Sequence, residues 1–214
     1  MNRIQEIKSM PDFLVAQKRE RIRQTFVGIK ISEGKGGYPY SLFSLTDFSP
    51  AMKPDLVEDM ADLLVYDGDF EKAQIIVSEA DRGGGPLAHA VAVRTNLPYT
   101  LANWYPNETR GEIGVEASIG FSGEGYIYLN GMEENQRAIL VDDLLSTGGT
   151  AVALLKAIQK AKAIPLQALF VAEKVGLGGR AEIEKQCNVP VVTLVKFKAE
   201  GEKTTEFSDR SLKA

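Results

Sequence analysis

The sequence predicts an α/β protein built on a parallel sheet with helices on both faces. Three observations carry that expectation. Short runs such as Ile75-Ile76-Val77, Ala138-Ile139-Leu140-Val141 and residues 166–171 are apolar throughout, as in strands buried on both faces. Segments with apolar residues at helical spacing separate them, so strands and helices alternate across residues 75–195. Two glycine-rich, acid-bearing turns each follow one of these strands directly, where open parallel sheets bind ligands. The 214 residues suit one such domain and are too few for two comfortable ones.

Composition removes several function classes. With 44% hydrophobic and 25% charged residues the chain is an ordinary globular one. A formal net charge of -4 offers no basic footprint, so no nucleic-acid partner is expected. No apolar run reaches the length of a membrane span, so no membrane partner is expected either. Cys187 stands alone, so it can form no intramolecular disulfide and no zinc site by itself. That fits a reducing cytoplasm. Residues 1–10 lack the apolar core of a secretory leader, and no internal repeat is visible.

In chain order, Ser9-Met10-Pro11-Asp12 reads as a helix start, opening a helix over residues 12–24. Its basic residues Lys18, Arg19, Arg21 and Arg23 read as a solvated face, with a subunit contact or a lid as the alternatives. Gly34 to Tyr40 is a flexible or turn-rich link. Leu45-Thr46-Asp47-Phe48-Ser49-Pro50 leads to a helix over residues 54–66, with Leu56, Met60, Leu63 and Leu64 on one face. Residues 1–50 are expected to form a small hood and residues 51–214 the core. After the strand at residues 75–78 comes Glu79-Ala80-Asp81-Arg82-Gly83-Gly84-Gly85-Pro86, then a helix over residues 87–94. Acid, arginine and glycines between strand and helix suggest an anion site, with a plain flexible turn as the alternative. His89, the one histidine, would lie too far along that helix to reach a ligand. A strand is expected at residues 99–103, then an irregular, functional or mobile stretch over residues 104–125. Residues 126–129 alternate like an edge strand that ends in an Asn130-Gly131 turn.

The most informative stretch follows. Ala138-Ile139-Leu140-Val141 is a buried strand, Asp142-Asp143 marks its end, and Leu144-Leu145-Ser146-Thr147-Gly148-Gly149-Thr150 turns into a helix over residues 151–162. Amides at a helix N-terminus point outward without partners, and the helix dipole favours an anion there. Ser146, Thr147 and Thr150 add hydroxyl donors, while Gly148 and Gly149 allow close backbone approach. A turn whose hydroxyls merely cap the helix would explain Ser146 or Thr147, but not the paired aspartates with the double glycine. The aspartates repel a phosphate and suit ribose hydroxyls, with Mg²⁺ nearby to lower the local charge.

This run resembles the phosphoribosyl pyrophosphate (PRPP) signature of type I phosphoribosyltransferases, and the wider chain from Leu45 to Val195 is similar to their purine, adenine-type branch. The resemblance implies a Rossmann-like parallel sheet flanked by helices, and PRPP with Mg²⁺ as substrate and metal. It places the ribose and the metal on Asp142 and Asp143, and the 5′-phosphate on Leu145, Ser146, Thr147, Gly148, Gly149 and Thr150. Pyrophosphate would rest on Ala80, Asp81, Arg82 and Gly83. Asp47-Phe48-Ser49-Pro50 is similar to a segment that follows the base-contacting residues, which puts Leu45 and Thr46 at the base. The family's flexible loop corresponds to the irregular stretch and is expected to close over the reacting centre and exclude water.

That loop departs from the adenine enzymes. Trp104-Tyr105 stands where they have Arg-Lys, as either packing aromatics or a stacking surface. The run Ser118-Ile119-Gly120-Phe121 lacks the glutamate proposed in the family to handle the purine proton. Glu108, Glu112 and Glu116 are candidate replacements, Glu112 being the one assigned to the expected catalytic set with Asp142, Asp143 and Arg82. Arg110 would supply positive charge. Glu173-Lys174, ahead of Gly179-Arg180, resembles the base-side loop of xanthine-type enzymes. A lysine donor there suits a 6-oxo group better than a 6-amino group, unless Lys174 simply faces solvent.

The expected function is purine salvage by an adenine-type phosphoribosyltransferase, releasing pyrophosphate and forming a nucleoside monophosphate. A 6-oxopurine (xanthine, hypoxanthine or guanine) enzyme is the alternative, as is a PRPP-sensing regulator without turnover. A homodimer is expected. The last strand is expected at residues 189–195, followed by a polar tail ending in a short edge strand and disorder.

Overall fold

The computed structural model describes residues 3–119 and 123–208. The chain enters through α1 (Arg3–Lys8), α2 (Asp12–Gln24) and a small antiparallel hairpin, β1 (Ser32–Glu33) with β2 (Pro39–Tyr40). The one-turn α3 (Ser44–Asp47) leads to α4 (Pro54–Asp67), which opens on a proline where the missing amide costs nothing. Then follow β3 (Ile75–Glu79), α5 (Gly84–Thr95) and β4 (Tyr99–Ala102). A long hairpin, β5 (Ile113–Ile119) and β6 (Gly123–Leu129), precedes β7 (Arg137–Leu145) and α6 (Gly149–Lys160). The chain closes with β8 (Ile164–Lys174), α7 (Gly179–Cys187), β9 (Val191–Lys198) and β10 (Thr205–Glu206).

The central sheet runs β10-β9-β8-β7-β3-β4, parallel throughout except for β10. Alternate residues of each strand feed two different cores. Ile76, Ile139, Val141, Leu169 and Val171 join the layer formed with α1, α2, α4 and α5. Ile75, Val77, Ala138, Leu140, Ala168 and Phe170 join the layer under α6, α7 and the β5–β6 hairpin. Burial on both faces explains why these strands read as unbroken apolar runs.

Several elements depart from expectation. The acidic pair does not end its strand: β7 continues through Asp142 and Asp143 to Leu145, paired along β8. Likewise Lys174 is the last residue of β8 and not part of a loop. Residues 104–125 are irregular only at first, since β5 pairs with β6 over seven residue pairs, from Ile113↔Leu129 to Ile119↔Gly123. The signal was present as a period of two in Ile113, Val115 and Ala117, diluted by interleaved glycine and glutamate. The basic side of α2 is only partly solvated. Lys18 reaches Asp59 (2.7 Å) and Asp62 (2.9 Å), Arg21 grips Asp59 through two nitrogens (2.7 and 2.9 Å), and Arg19 reaches Asp67 (3.0 Å). These acids lie on α4, so the charges lock two helices of one chain together. Of the first 50 residues, β1–β2 and α3 roof the ligand cleft, while α1 and α2 pack against α4. Gly120 and Phe121, and the expected disorder at the C-terminus, lie outside the described residues.

Candidate active site

A cleft of about 600 Å³ opens at the C-terminal ends of β3, β7 and β8. Strand β7 lies directly beside β3, with Ile75 against Ala138, so the turns leaving these strands are neighbours although some 60 residues separate them in sequence. Ser146, Thr147, Gly148, Gly149 and Thr150 line the cleft together with Leu145, as the first turn of α6 opens into it. Gly148 adopts a left-handed φ of 83°, and a Cβ there would lie 2.8 Å from the Gly179 carbonyl oxygen. The turn is thereby pressed against the start of α7, where the Gly179 amide donates to the Ser146 carbonyl at 3.1 Å. A Cβ on Gly149 would lie 1.5 Å from the Ser118 carbonyl oxygen, so the far end of β5 rests on the N-terminus of α6.

Opposite the turn lies a cluster of carboxylates. Asp142 and Asp143 are buried, and Asp142 accepts the Asp143 amide at 2.9 Å. The strand–helix turn after β3 fits against them so closely that a Cβ on Gly83 would meet Asp143 Oδ2 at 1.8 Å and one on Gly84 would meet Asp142 Oδ1 at 2.9 Å. Burial, reinforced by Asp81, raises the Asp143 carboxyl to about 7. Burial together with Asp143 and Asp81 pushes Asp142 well above the usual carboxylate range. Glu79 rises to about 11 through burial, Asp142 and Asp81. Its Oε2 is buried without a hydrogen-bond partner among the described residues. Such a crowd of hard oxygen donors fits a divalent cation, which would favour the charged carboxylates that burial disfavours. Among the described residues no group of three or more side chains forms a complete metal cage.

The sequence-predicted residues separate into those the cleft gathers and those it does not. Asp142, Asp143, Asp81, Arg82, Thr46, Lys174 and the 145–150 turn line it. Arg82 projects into solvent on the cleft rim, its guanidinium 3.8 Å from Asp47. Asp81 spends one carboxylate oxygen on the Gly83 and Gly84 amides (3.0 and 2.8 Å), so its own side chain caps α5. Ala80 donates its amide to Ala102 and does not line the cleft. Leu45, expected at the base, is instead buried in the core, because its place on the one-turn α3 faces it inward. Glu112 is also removed from the cleft. Its carboxylate accepts the Asn107 and Glu108 amides and the Asn130 side-chain amide, which holds its pKa below the ordinary value. Glu116 is engaged by the Tyr126 hydroxyl at 2.7 Å. The hairpin carboxylate that lines the cleft is Glu124, across the hairpin from Ser118. Trp104 lines it too and packs against the second core, whereas Tyr105 is exposed. His89 lies on the surface in an edge-on contact with Tyr99.

Sequence reasoning expected a hood over residues 1–50 but not the contacts that build it. Asp47, its side chain buried, accepts from the Tyr40 and Thr46 hydroxyls and from the Phe43 amide at 3.1 Å. Hydrogen bonding to that carboxylate raises the Tyr40 phenol to about 12. Lys174 is buried under the same hood, donating to the Pro39 carbonyl (2.8 Å) and the Tyr38 hydroxyl (3.1 Å). Beside it, Glu173 is clamped by Arg180 at 2.6 Å, and Arg180 also reaches the Val191 carbonyl at 2.6 Å, which fixes the end of β8. The turn from Gly34 to Tyr40, read from sequence as a flexible or turn-rich link, supplies both tyrosines and the proline of this roof.

A buried carboxylate pair near the end of β7 thus faces a helix-opening hydroxyl–glycine turn beneath the hood. No protein-family model matches the chain. Among curated proteins it is similar to the hypoxanthine/guanine phosphoribosyltransferase of Methanosarcina mazei, 32% identical over 190 residues covering 89% of this chain and 96% of that protein. That of Ferroglobus placidus is 36% identical over 163 residues, 76% of this chain and 84% of its own length. Among solved structures, adenine phosphoribosyltransferase from Thermoanaerobacter pseudethanolicus superposes with a TM-score of 0.70 at 21% identity, covering 84% of this chain and 99% of that one. The Saccharomyces cerevisiae adenine enzyme gives 0.67 at 20% identity, over 84% and 99%. The chain belongs to the type I phosphoribosyltransferase family, and it is an enzyme.

Proposed function

We propose that this enzyme transfers the 5-phosphoribosyl group of PRPP to a 6-oxopurine, hypoxanthine or guanine, releasing pyrophosphate and forming the nucleoside monophosphate. The observation that carries the choice of base is Lys174. Its ammonium has three donors, of which Pro39 and Tyr38 take two. The third suits a carbonyl at C6 and is mismatched to an amino group, which is itself a donor. The curated relatives named for hypoxanthine and guanine support this over the adenine-type expectation, since the adenine enzymes match at 20–21% identity and carry the fold alone.

In the proposed reaction the 145–150 turn holds the 5′-phosphate, and Asp142 and Asp143 take the ribose hydroxyls. Arg82 leaves Asp47 to meet the pyrophosphate, where negative charge builds as the C1′–O bond breaks. The purine nitrogen bonds to C1′ and gives up its proton to Glu124, in place of the expected Glu112. Asp142 and Asp143 would also hold Mg²⁺, which when bound neutralises charge on the diphosphate. The hairpin β5–β6 and the hood exclude water from the cationic ribose centre. Positioning and electrostatics supply most of the rate, so no nucleophile is required. We place the enzyme in the cytoplasm as a homodimer, which light scattering would test.

The test of function is pyrophosphate release from Mg²⁺ and PRPP with hypoxanthine, guanine, xanthine and adenine in parallel. Hypoxanthine or guanine should exceed adenine in kcat/KM, and Lys174→Met should reduce that preference by roughly 10–100-fold, the worth of a hydrogen bond to a charged group. A wild-type enzyme that prefers adenine would overturn the assignment.

A further inference from the structure

We propose that Tyr38 determines base specificity by fixing the direction of the Lys174 ammonium; the inference rests on the 6-oxopurine reading above. A lysine head group on four rotatable bonds is a poor specificity element unless something holds it. Here the holding is done by two consecutive hood residues. The Tyr38 hydroxyl accepts one N–H at 3.1 Å, the Pro39 carbonyl accepts another at 2.8 Å, and the nitrogen lies 4.3 Å from the centre of the Tyr38 ring. Among the described residues no carboxylate pairs with Lys174: its neighbour Glu173 is engaged by Arg180 and Thr193. Lys174 is nonetheless only 3% exposed. A buried cation without a counter-ion needs every acceptor it can reach, and the face of an aromatic ring offsets part of its lost hydration. What remains is one donor and an unmet demand for an acceptor. A purine carbonyl meets that demand, and a purine amino group adds a second donor to it.

The clamp is set before any base arrives. Pro39 is paired with Glu33 across the hairpin, and the Gly34 amide donates to the Tyr38 carbonyl at 2.7 Å. A Cβ on Gly34 would come within 3.0 Å of that same carbonyl oxygen, so the glycine permits the close turn that presents the tyrosine. Backbone pairing in the hood thus orients a side chain on the last residue of β8, and Tyr38 acts through Lys174 as a positioning residue.

Tyr38→Phe keeps the ring and removes the oxygen, whereas Tyr38→Leu removes both. The ratio of kcat/KM for hypoxanthine over adenine should fall about tenfold in the first and further in the second, with KM for PRPP unchanged. In a Lys174→Met background Tyr38→Leu should leave the ratio where Lys174→Met alone puts it. Melting curves establish that each variant is folded. A folded Tyr38→Phe and Tyr38→Leu pair that keeps the wild-type ratio, or additive effects of the two sites, would overturn the inference while a wild-type preference for 6-oxopurines stood. A wild-type preference for adenine would remove the base assignment itself, whatever Tyr38 did.

Discussion

Replacing Asp143 with asparagine should stabilise the ligand-free enzyme and disable it together. The carboxyl sits near 7 in the folded chain because burial and Asp81 oppose its charge, against an ordinary value of 3.8. The native state therefore holds a proton that the unfolded chain has already released, so stability falls as pH rises through the interval between those two values. Besides Asp142 and Glu79, which act in the same direction, Asp143 by itself should return about 2 kcal/mol on acidification from about pH 7.5 to about pH 5.5. For a chain of this size that is a rise in Tm of about 4–8 °C. Asparagine keeps an oxygen to accept the Leu144 amide and carries no charge. At neutral pH it should gain about 2–4 kcal/mol, and its Tm should still rise on acidification, through Asp142 and Glu79, but by less than that of the wild type. Its kcat/KM for PRPP should drop by at least about 100-fold, since the ribose loses its anionic partner. Circular-dichroism melts at several pH values, paired with the pyrophosphate-release assay, measure both signs. A variant that melts below wild type at neutral pH, or a wild type that loses stability on acidification through this window, would refute the account of the carboxylate cluster.

Two other perturbations separate site from scaffold. Gly149→Ala would put a methyl group 1.5 Å from the Ser118 carbonyl, forcing β5 off the start of α6; activity should fall about 100-fold or more, out of proportion to the loss in the melt that a backbone clash brings. Asp59→Ala should do the reverse and leave base preference intact, costing about 3–5 kcal/mol in a urea or thermal melt, because it strips the buried partner of Lys18 and Arg21. Burial alone would raise the Asp59 carboxyl, but hydrogen bonds from Arg21 and Lys18 outweigh it and hold it below the usual range. Its contribution is therefore present above about pH 4 and lost only as pH falls through its depressed value, which leaves the neutral window to the raised carboxyls Asp143, Asp142 and Glu79.

The family and the hydroxyl–glycine turn were legible because their signals are local. A buried strand, a pair of aspartates and Ser146 to Thr150 lie within thirteen consecutive residues, and helix-terminus physics says what such a turn can hold. The sheet was legible for a similar reason, since strands buried on both faces carry no polar alternation. The β5–β6 hairpin was written in Ile113, Val115 and Ala117 yet obscured by the residues between them. The basic side of α2 had the composition of a solvated face, and only the position of Asp59 and Asp62 on α4 turned it into an interface.

The sequence alone determined the strand runs, the turn chemistry and the family to which they point. The tertiary structure decided which carboxylates crowd together, because β3 and β7 become neighbours only through long-range pairing. It withdrew Leu45 into the core and Glu112 into a loop cap, and brought Glu124 to the cleft from the far strand of a hairpin. It also set Lys174 beneath Tyr38 and Pro39, some 135 residues away in the chain. Turn preferences are set by residues in sequence contact, whereas the charge, burial and direction of a side chain depend on whatever the fold packs against it.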